Sequence, residues 1–349
     1  MRLTAVLLAV FLSAGATTAS TVDAVVASVR ASLRQKHKDA KLAASLAKVA
    51  LSQRLEDRVI EILESEGAGP QTLGALQRLR DASRLLPEPP DPPPGMTPPP
   101  PPPLAEERQV WEATGIEARG YIGSLPDFRC TETVHRWIAP QGNEAWQPSP
   151  TLVADLTFFD RKEQYKLLTV DGKTAPNSLL DVDGASSRGE FGTILATIFD
   201  PALETYFRWD HWTTLRKRPT SVYFFRIALS HAPHRLIFGA TAQDRISTAT
   251  GEHGYVYVDR ETNSVTRIVQ DSDDIPPDFP IQRATTVLDY DYADVGGTRF
   301  LFPLRAEIRI DAGKQQNLNT VEFHKYRKVA SDAAVKYGDT PPAPAKKRP

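Results

Sequence analysis

Two histidines three residues apart, His231 and His234, flank Ala232-Pro233 in the His-x-x-His spacing that can supply half of a metal site. A zinc-type centre needs three or four ligands. No spaced third His, Cys or Asp accompanies the pair, so the spacing reads as a turn between two strands. Asp271, Asp273 and Asp274 group carboxylates that could hold calcium, but the glycine and the terminal glutamate of a calcium loop are missing and a solvated turn is expected. Glu132, His135 and Asp155 are candidates for general acid and base work. On a regular strand Glu132 and His135 point to opposite faces, so at most one of them can meet Asp155. No nucleophile elbow is present.

Cys130 is the only cysteine and falls on a strand face with Phe128, Glu132 and Val134. No His or basic residue stands beside it there to favour a thiolate, so it reads as a small hydrophobe, and no intramolecular disulfide can form. Gly67-Ala68-Gly69-Pro70-Gln71-Thr72 resembles the glycine hairpin of the helix-hairpin-helix family, which implies DNA phosphates held by backbone amides. The plainer reading is that Gly67 ends one helix and Gly69 opens the turn into the next. Arg216-Lys217-Arg218, next to Trp209 and Trp212, could face a lipid head group or a partner, but such a run is ordinarily a wet turn. These residues predict no catalytic site, no metal site and no cofactor; the chain reads as a non-enzyme.

The elements that must position such residues begin with an export signal over 1–19: Arg2, then an apolar core from Ala5 to Leu12, then small residues up to Ala19. That core is shorter than the ~20 residues of a membrane-spanning helix, and no other stretch is long enough. A periplasmic or secreted protein without a transmembrane segment in its mature chain is expected. The net charge of -1 argues against nucleic acid as a partner.

Residues 20–86 read as a small all-α module, with helical spacing at Val22, Val25, Val26, Val29 and Leu33, then Leu42 and Leu46, Val59 and Leu63, and Leu73, Leu76 and Leu79. Asp39 and Ser52 are placed as N-caps, and Pro70 in a first turn. Of the 29 prolines, many crowd into 87–104; recognition of them by a partner domain is one reading, and a polyproline II spacer is the one preferred for an exported chain. At ~3.1 Å per residue it would hold its flanks roughly 50 Å apart. Residues 105–330 carry about ten strands in no βαβ rhythm. Their cleanest run is Phe302, Leu304, Ala306, Ile308 and Ile310 against Arg305, Glu307 and Arg309, the alternation of a sheet with one buried and one wet side. The tail, 331–349, is expected to be disordered. The fold class is α+β: a large curved antiparallel sheet, a half-barrel, with one or two packing helices.

From Glu106 to Ile138 a helix leads into strands, a second helix lies near Phe191, and the phrases Gly254 to Ile268 and Asp289-Tyr290 through Gly296-Gly297 to Phe302-Pro303 follow. In this order the β-module resembles the LolA-like family of exported lipoprotein carriers. The resemblance implies a half-barrel around an apolar cavity and a lipid or lipoprotein as partner. The chain departs from that family in adding the helical module and the spacer. The expected pocket lining is Leu152, Leu156, Phe158, Tyr223, Phe225, Tyr255, Tyr257, Leu288, Tyr290, Phe302, Leu304 and Ile308, with Phe191, Ile194, Leu195 and Phe199 on the helix that covers it. Burial of an acyl chain, at ~0.8 kcal/mol per methylene, would drive binding without a charged site. The second reading is a cell-envelope scaffold with a filled β core, in which 20–86 grips an envelope protein.

Overall fold

The structure, a computed structural model, describes residues 19–90, 100–141, 146–175, 192–232, 234–239 and 244–329. Residues 1–18, on which the expected export signal falls, Phe191, the middle of the proline run and the 331–349 tail lie outside the described residues. The chain divides into two compact units. One holds the described residues up to Pro101 together with His211–Thr220; the other holds Pro102–Asp210 and the described residues from Ser221 onward.

The first unit is built on α1 (Val22–Arg34), α2 (Asp39–Leu46), α3 (Asp57–Ser65) and α4 (Pro70–Ser83). The side chain of Thr21 caps α1 by accepting from Ala24 N at 3.2 Å, satisfying one of the amides a helix start leaves open. Val22, Val25, Val26 and Val29 then bury one stripe of α1 against Leu42, Leu46, Leu63, Leu73 and Leu76. Pro70 occupies the first turn of α4, as its missing N–H allows.

Two of the expected caps are elsewhere. Ser52 lies before α3 rather than at its start, where it donates from its backbone N–H to Ser20 O. Asp39 sits in the first turn of α2, and its carboxylate crosses to the start of α4, accepting from Gln71 N (2.8 Å), Thr72 N (3.0 Å) and Thr72 Oγ1 (2.6 Å). The amides that a helix-hairpin-helix loop would offer to a phosphate are thus filled from within the chain. Gly69 is required for this: a Cβ there would lie 2.5 Å from Asp39 Cγ. Asp39→Ala is expected to cost about 1–2 kcal/mol through the lost cap. A urea midpoint that does not move would show that the α4 amides are equally well satisfied by water.

The second unit opens with α5 (Leu104–Ser124). Strands β1 (Phe128–Pro140), β2 (Gln147–Phe159), β3 (Lys162–Val170) and β4 (Lys173–Thr174) follow, then α6 (Thr193–Ile198). Next come β5 (Tyr206–Leu215), β6 (Arg218–Ile227), β7 (Arg235–Phe238), β8 (Ile246–Ala249), β9 (Gly251–Asp259) and β10 (Val265–Asp273). The chain then runs through β11 (Ile281–Val295), β12 (Thr298–Ala312) and β13 (Gln315–Lys328). Among the described residues eleven strands form one open sheet in the order β4-β3-β2-β1-β13-β12-β11-β10-β9-β6-β5. β7 and β8 pair separately with each other, because the chain leaves the large sheet after β6 and rejoins it at β9. The fold is α+β, a half-barrel-like antiparallel sheet preceded by helices. Gly296 and Gly297, both with positive φ, make the two-residue turn between β11 and β12 that the sequence predicts.

The expectation of one buried and one wet side fails at the centre of the sheet. Opposite the helix-covered face, Tyr257, Arg267 and Asp289 are also buried, in a lateral row on β9, β10 and β11. The β12 alternation is interrupted as well. The β11–β12 register shifts between Asp289 and Tyr290, which pair with Arg305 and Pro303, so Leu304 falls in the bulge and is 40% exposed.

Candidate binding groove

Of the expected pocket residues, Leu156, Phe158, Leu195, Phe199, Tyr223, Phe225, Leu288, Tyr290, Phe302 and Ile308 share one buried cluster, with Ile194 packed against it. Leu152 is buried but outside that cluster, and Leu304 points to solvent. Tyr255 and Tyr257, expected in the lining, lie on the opposite face of β9: the residues that enter the cluster are Val256 and Val258. Tyr255 meets Phe224 edge-on at 5.8 Å, and Arg267 lies over the Tyr257 ring at 5.6 Å. Aromatic character suggested the inward face of this strand, whereas the smaller β-branched valines hold it.

Among themselves the clustered side chains pack ring on ring. Phe128 stacks on Phe158 at 5.2 Å and meets Phe302 at 4.9 Å, and Phe302 stacks on Tyr326 at 4.3 Å. Polar tips are satisfied on backbone: Tyr326 donates to Pro303 O (2.6 Å) and Tyr121 to Leu301 O (3.0 Å). Cys130 belongs to this cluster, and burial, then the carboxylates of Glu132 and Asp155, hold its thiol far above the ordinary value. It is a core hydrophobe rather than a nucleophile.

Among the described residues an open volume lies to one side of this cluster, between α5 and the segment that runs through α6 into β5. It is a groove of about 500 Å³, within the range of small-ligand sites, lined by Trp111, Ile116, Arg119, Phe199, Glu204 and Phe207 among others. Trp111 stacks on Phe199 at 4.6 Å. Gly115 sits in the lining, and a Cβ added there would already stand 3.6 Å from Phe199 Cδ1. Arg119 Nη1 donates to Phe199 O at 3.4 Å, which places a guanidinium at the wall. Of the predicted lining only Phe199 belongs to this groove. The signal for the rest was a glycine within a helix beside Trp111 and Ile116, a small residue between bulky ones.

The candidates for chemistry separate. His231 Nε2 is 3.9 Å from Glu204 Oε2, while His234 Nδ1 is 3.2 Å from Glu252 Oε1, so the two imidazoles serve different carboxylates. Asp271 and Asp273 are strand residues of β10, not a solvated turn: Asp271 accepts from Thr285 Oγ1, and Asp273 meets His253 Nδ1 at 2.8 Å. Asp155 pairs with Arg129 rather than with Glu132 or His135. Among the described residues no group of three or more His, Cys, Asp or Glu is arranged to hold a metal ion. Arg216 and Lys217, both with positive φ, form the tight β5–β6 turn expected of that basic run.

No protein-family model matches the sequence. A search of curated proteins returns no match. Among solved structures the chain is similar to a DUF1329 family protein from Desulfovibrio piger, at 8% identity and a TM-score of 0.31, over 66% of this chain and 95% of that one. It is also similar to the LolA superfamily protein NE2245 from Nitrosomonas europaea, at 8% identity and a TM-score of 0.25, over 64% and 93%. A third is the Pseudomonas aeruginosa MucA/MucB complex, at 11% identity and a TM-score of 0.19, over 61% and 93%. The open sheet, the helix that leads into it and the inserted α6 are the layout that the LolA-like resemblance implies. Among the described residues no helix is long and apolar enough to cross a membrane.

Proposed function

We propose that residues 105–330 form a non-catalytic binding module of the cell envelope, exported by the 1–19 signal, that holds an acyl chain with an anionic head group. The groove beside α5 carries this reading. Trp111, Ile116, Phe199 and Phe207 offer apolar wall to the chain, and Arg119 offers a guanidinium to the head. The sheet face named from the sequence is a weaker candidate, since its side chains already fill one another's space. That filling favours the second reading, an envelope scaffold, which rests on 20–86 as the partner-binding part.

Gly115→Leu tests the first reading, because its side chain would enter the groove and, with Arg119 Nη1 only 3.0 Å from the new Cβ, would also press the guanidinium aside. A fluorescent fatty acid is expected to bind the wild-type protein and to bind the variant about tenfold or more weakly, a loss of about 1.4 kcal/mol or more. Native mass spectrometry of protein purified from cells should show a lipid adduct on the wild type. No adduct together with no fatty-acid binding would overturn the proposal.

A further inference from the structure

The hairpin between β5 and β6 groups with the helices, not with the sheet from which it extends: His211–Thr220 belongs to the same compact unit as the residues up to Pro101. Two side chains at its base show why. His211 Nε2 is 2.9 Å from Oε2 of Glu61, a carboxylate on α3 that is 4% exposed. Next to it, Trp212 Nε1–H donates to the carbonyl of Pro100 at 2.8 Å.

The Trp212 contact has the chemistry of polyproline recognition. An extended proline segment has no N–H groups of its own, so its carbonyls remain available as acceptors, and its shape is set before binding. Indole combines a donor with a broad apolar face, the two features such a segment can engage. The described start of the proline-rich stretch is tied to the same unit. Arg54 N–H donates to Pro87 O at 2.8 Å, and the Arg54 guanidinium pairs with Glu88. A spacer that merely separated two modules would need neither attachment.

We propose that the His211–Thr220 hairpin is a docking site for a proline-rich extended segment, with Trp212 as its recognition residue, and that the chain's own Pro100 stretch occupies it in cis. Glu61 and His211 set the hairpin against the helices so that the indole meets the passing chain. A site filled from within the same polypeptide faces an effective ligand concentration on the order of millimolar. A proline-rich segment of another protein would therefore have to compete with it, or take its place when the cis segment is withdrawn.

The test uses the full chain and a fluorescein-labelled octaproline peptide read by anisotropy. Wild-type protein should bind the peptide weakly, because the site is filled. The variant P100S/P101S/P102S/P103S should bind it about tenfold or more tightly. Adding Trp212→Ala to that variant should remove the gain, and Trp212→Phe, which keeps a ring but not the donor, should remove most of it. Equal binding by the wild type and the serine variant would overturn the proposal, as would a gain that survives Trp212→Phe.

Discussion

Asp289→Ala is expected to destabilise the protein by about 3–5 kcal/mol, the cost of breaking a buried ion pair from one side. The carboxylate is 1% exposed and accepts from Arg267 Nε at 2.6 Å, Arg267 Nη2 at 3.1 Å and Arg305 Nε at 2.8 Å. Arg267 is itself 6% exposed, so deletion of the carboxylate removes a bidentate counter-charge from a guanidinium that is largely shut off from water. The cross-strand register explains the arrangement: Arg267 stands opposite Asp289, and Asp289 opposite Arg305, giving three side chains in one lateral row. Charge removal and packing can be told apart with a second variant. Arg267→Met with Asp289→Leu takes both charges out together and is expected to recover much of the loss. Chemical denaturation of the three proteins checks this. A single-variant cost under about 1 kcal/mol would mean that the row is solvated.

Asp289 also shows where the sequence misleads. Alternation places Leu288 and Tyr290 inward correctly, and by the same logic assigns Asp289 to a wet face. Period-2 patterning distinguishes two sides but not the medium on each, and a charged residue that is buried because it is paired has the same pattern as a solvated one. The inverse error occurs on β9. Tyr255 and Tyr257 outweigh Val256 and Val258 by size, yet the valines face the core and Tyr257 covers Arg267. Leu304 is lost for a third reason, since a bulge is a local register event that no hydrophobic pattern announces.

Local signals were more dependable. Pro70 at a helix start, Gly296-Gly297 in a two-residue turn and the four apolar stripes of the helical module all lie where short-range rules put them. What the sequence hid was the choice of partner over distance. Asp39 has the right residue type and position for a cap, but the helix it caps is α4, more than thirty residues on. The groove follows the same rule. Trp111, Phe199 and Phe207 were each legible as apolar, but their convergence around Gly115 depends on how α5 crosses the segment after α6.

Glu252→Gln is expected to make the protein more stable than wild type at pH 8, by about 3 kcal/mol. Glu252 points to the helix-covered face of β9, is 1% exposed, and neither of its oxygens makes a well-formed hydrogen bond. Its surroundings hold little to balance a charge. Gln270 on β10 reaches it diagonally across the ladder, His234 Nδ1 lies 3.2 Å away just before β7, and the Asp274 carboxylate stands near Gly251. Arg226, Asp273 and His253 form a separate chain of contacts around the side chain that follows it on the strand. Burial accordingly pushes the carboxyl from 4.5 up to about 7, with Gln270 pulling weakly the other way. Because the folded value exceeds the unfolded one, the folded state holds the proton more firmly. The stability this provides is complete below about pH 4.5 and is lost as pH rises through 7. At about 1.4 kcal/mol per unit, two and a half units give the expected difference. His234 acts in the opposite sense, since burial lowers its value below 6.5 and its contribution is lost as pH falls. The glutamate therefore makes wild-type stability fall as pH rises from about 4.5 to about 7 and level off above, with the His234 contribution opposing that fall below 6.5. The glutamine variant lacks the fall and should be level above pH 6.5, weakening only toward acid, where His234 takes up its proton. Urea midpoints at pH 5, 6.5 and 8 measure both slopes, and parallel curves for the two proteins would refute the buried-acid account.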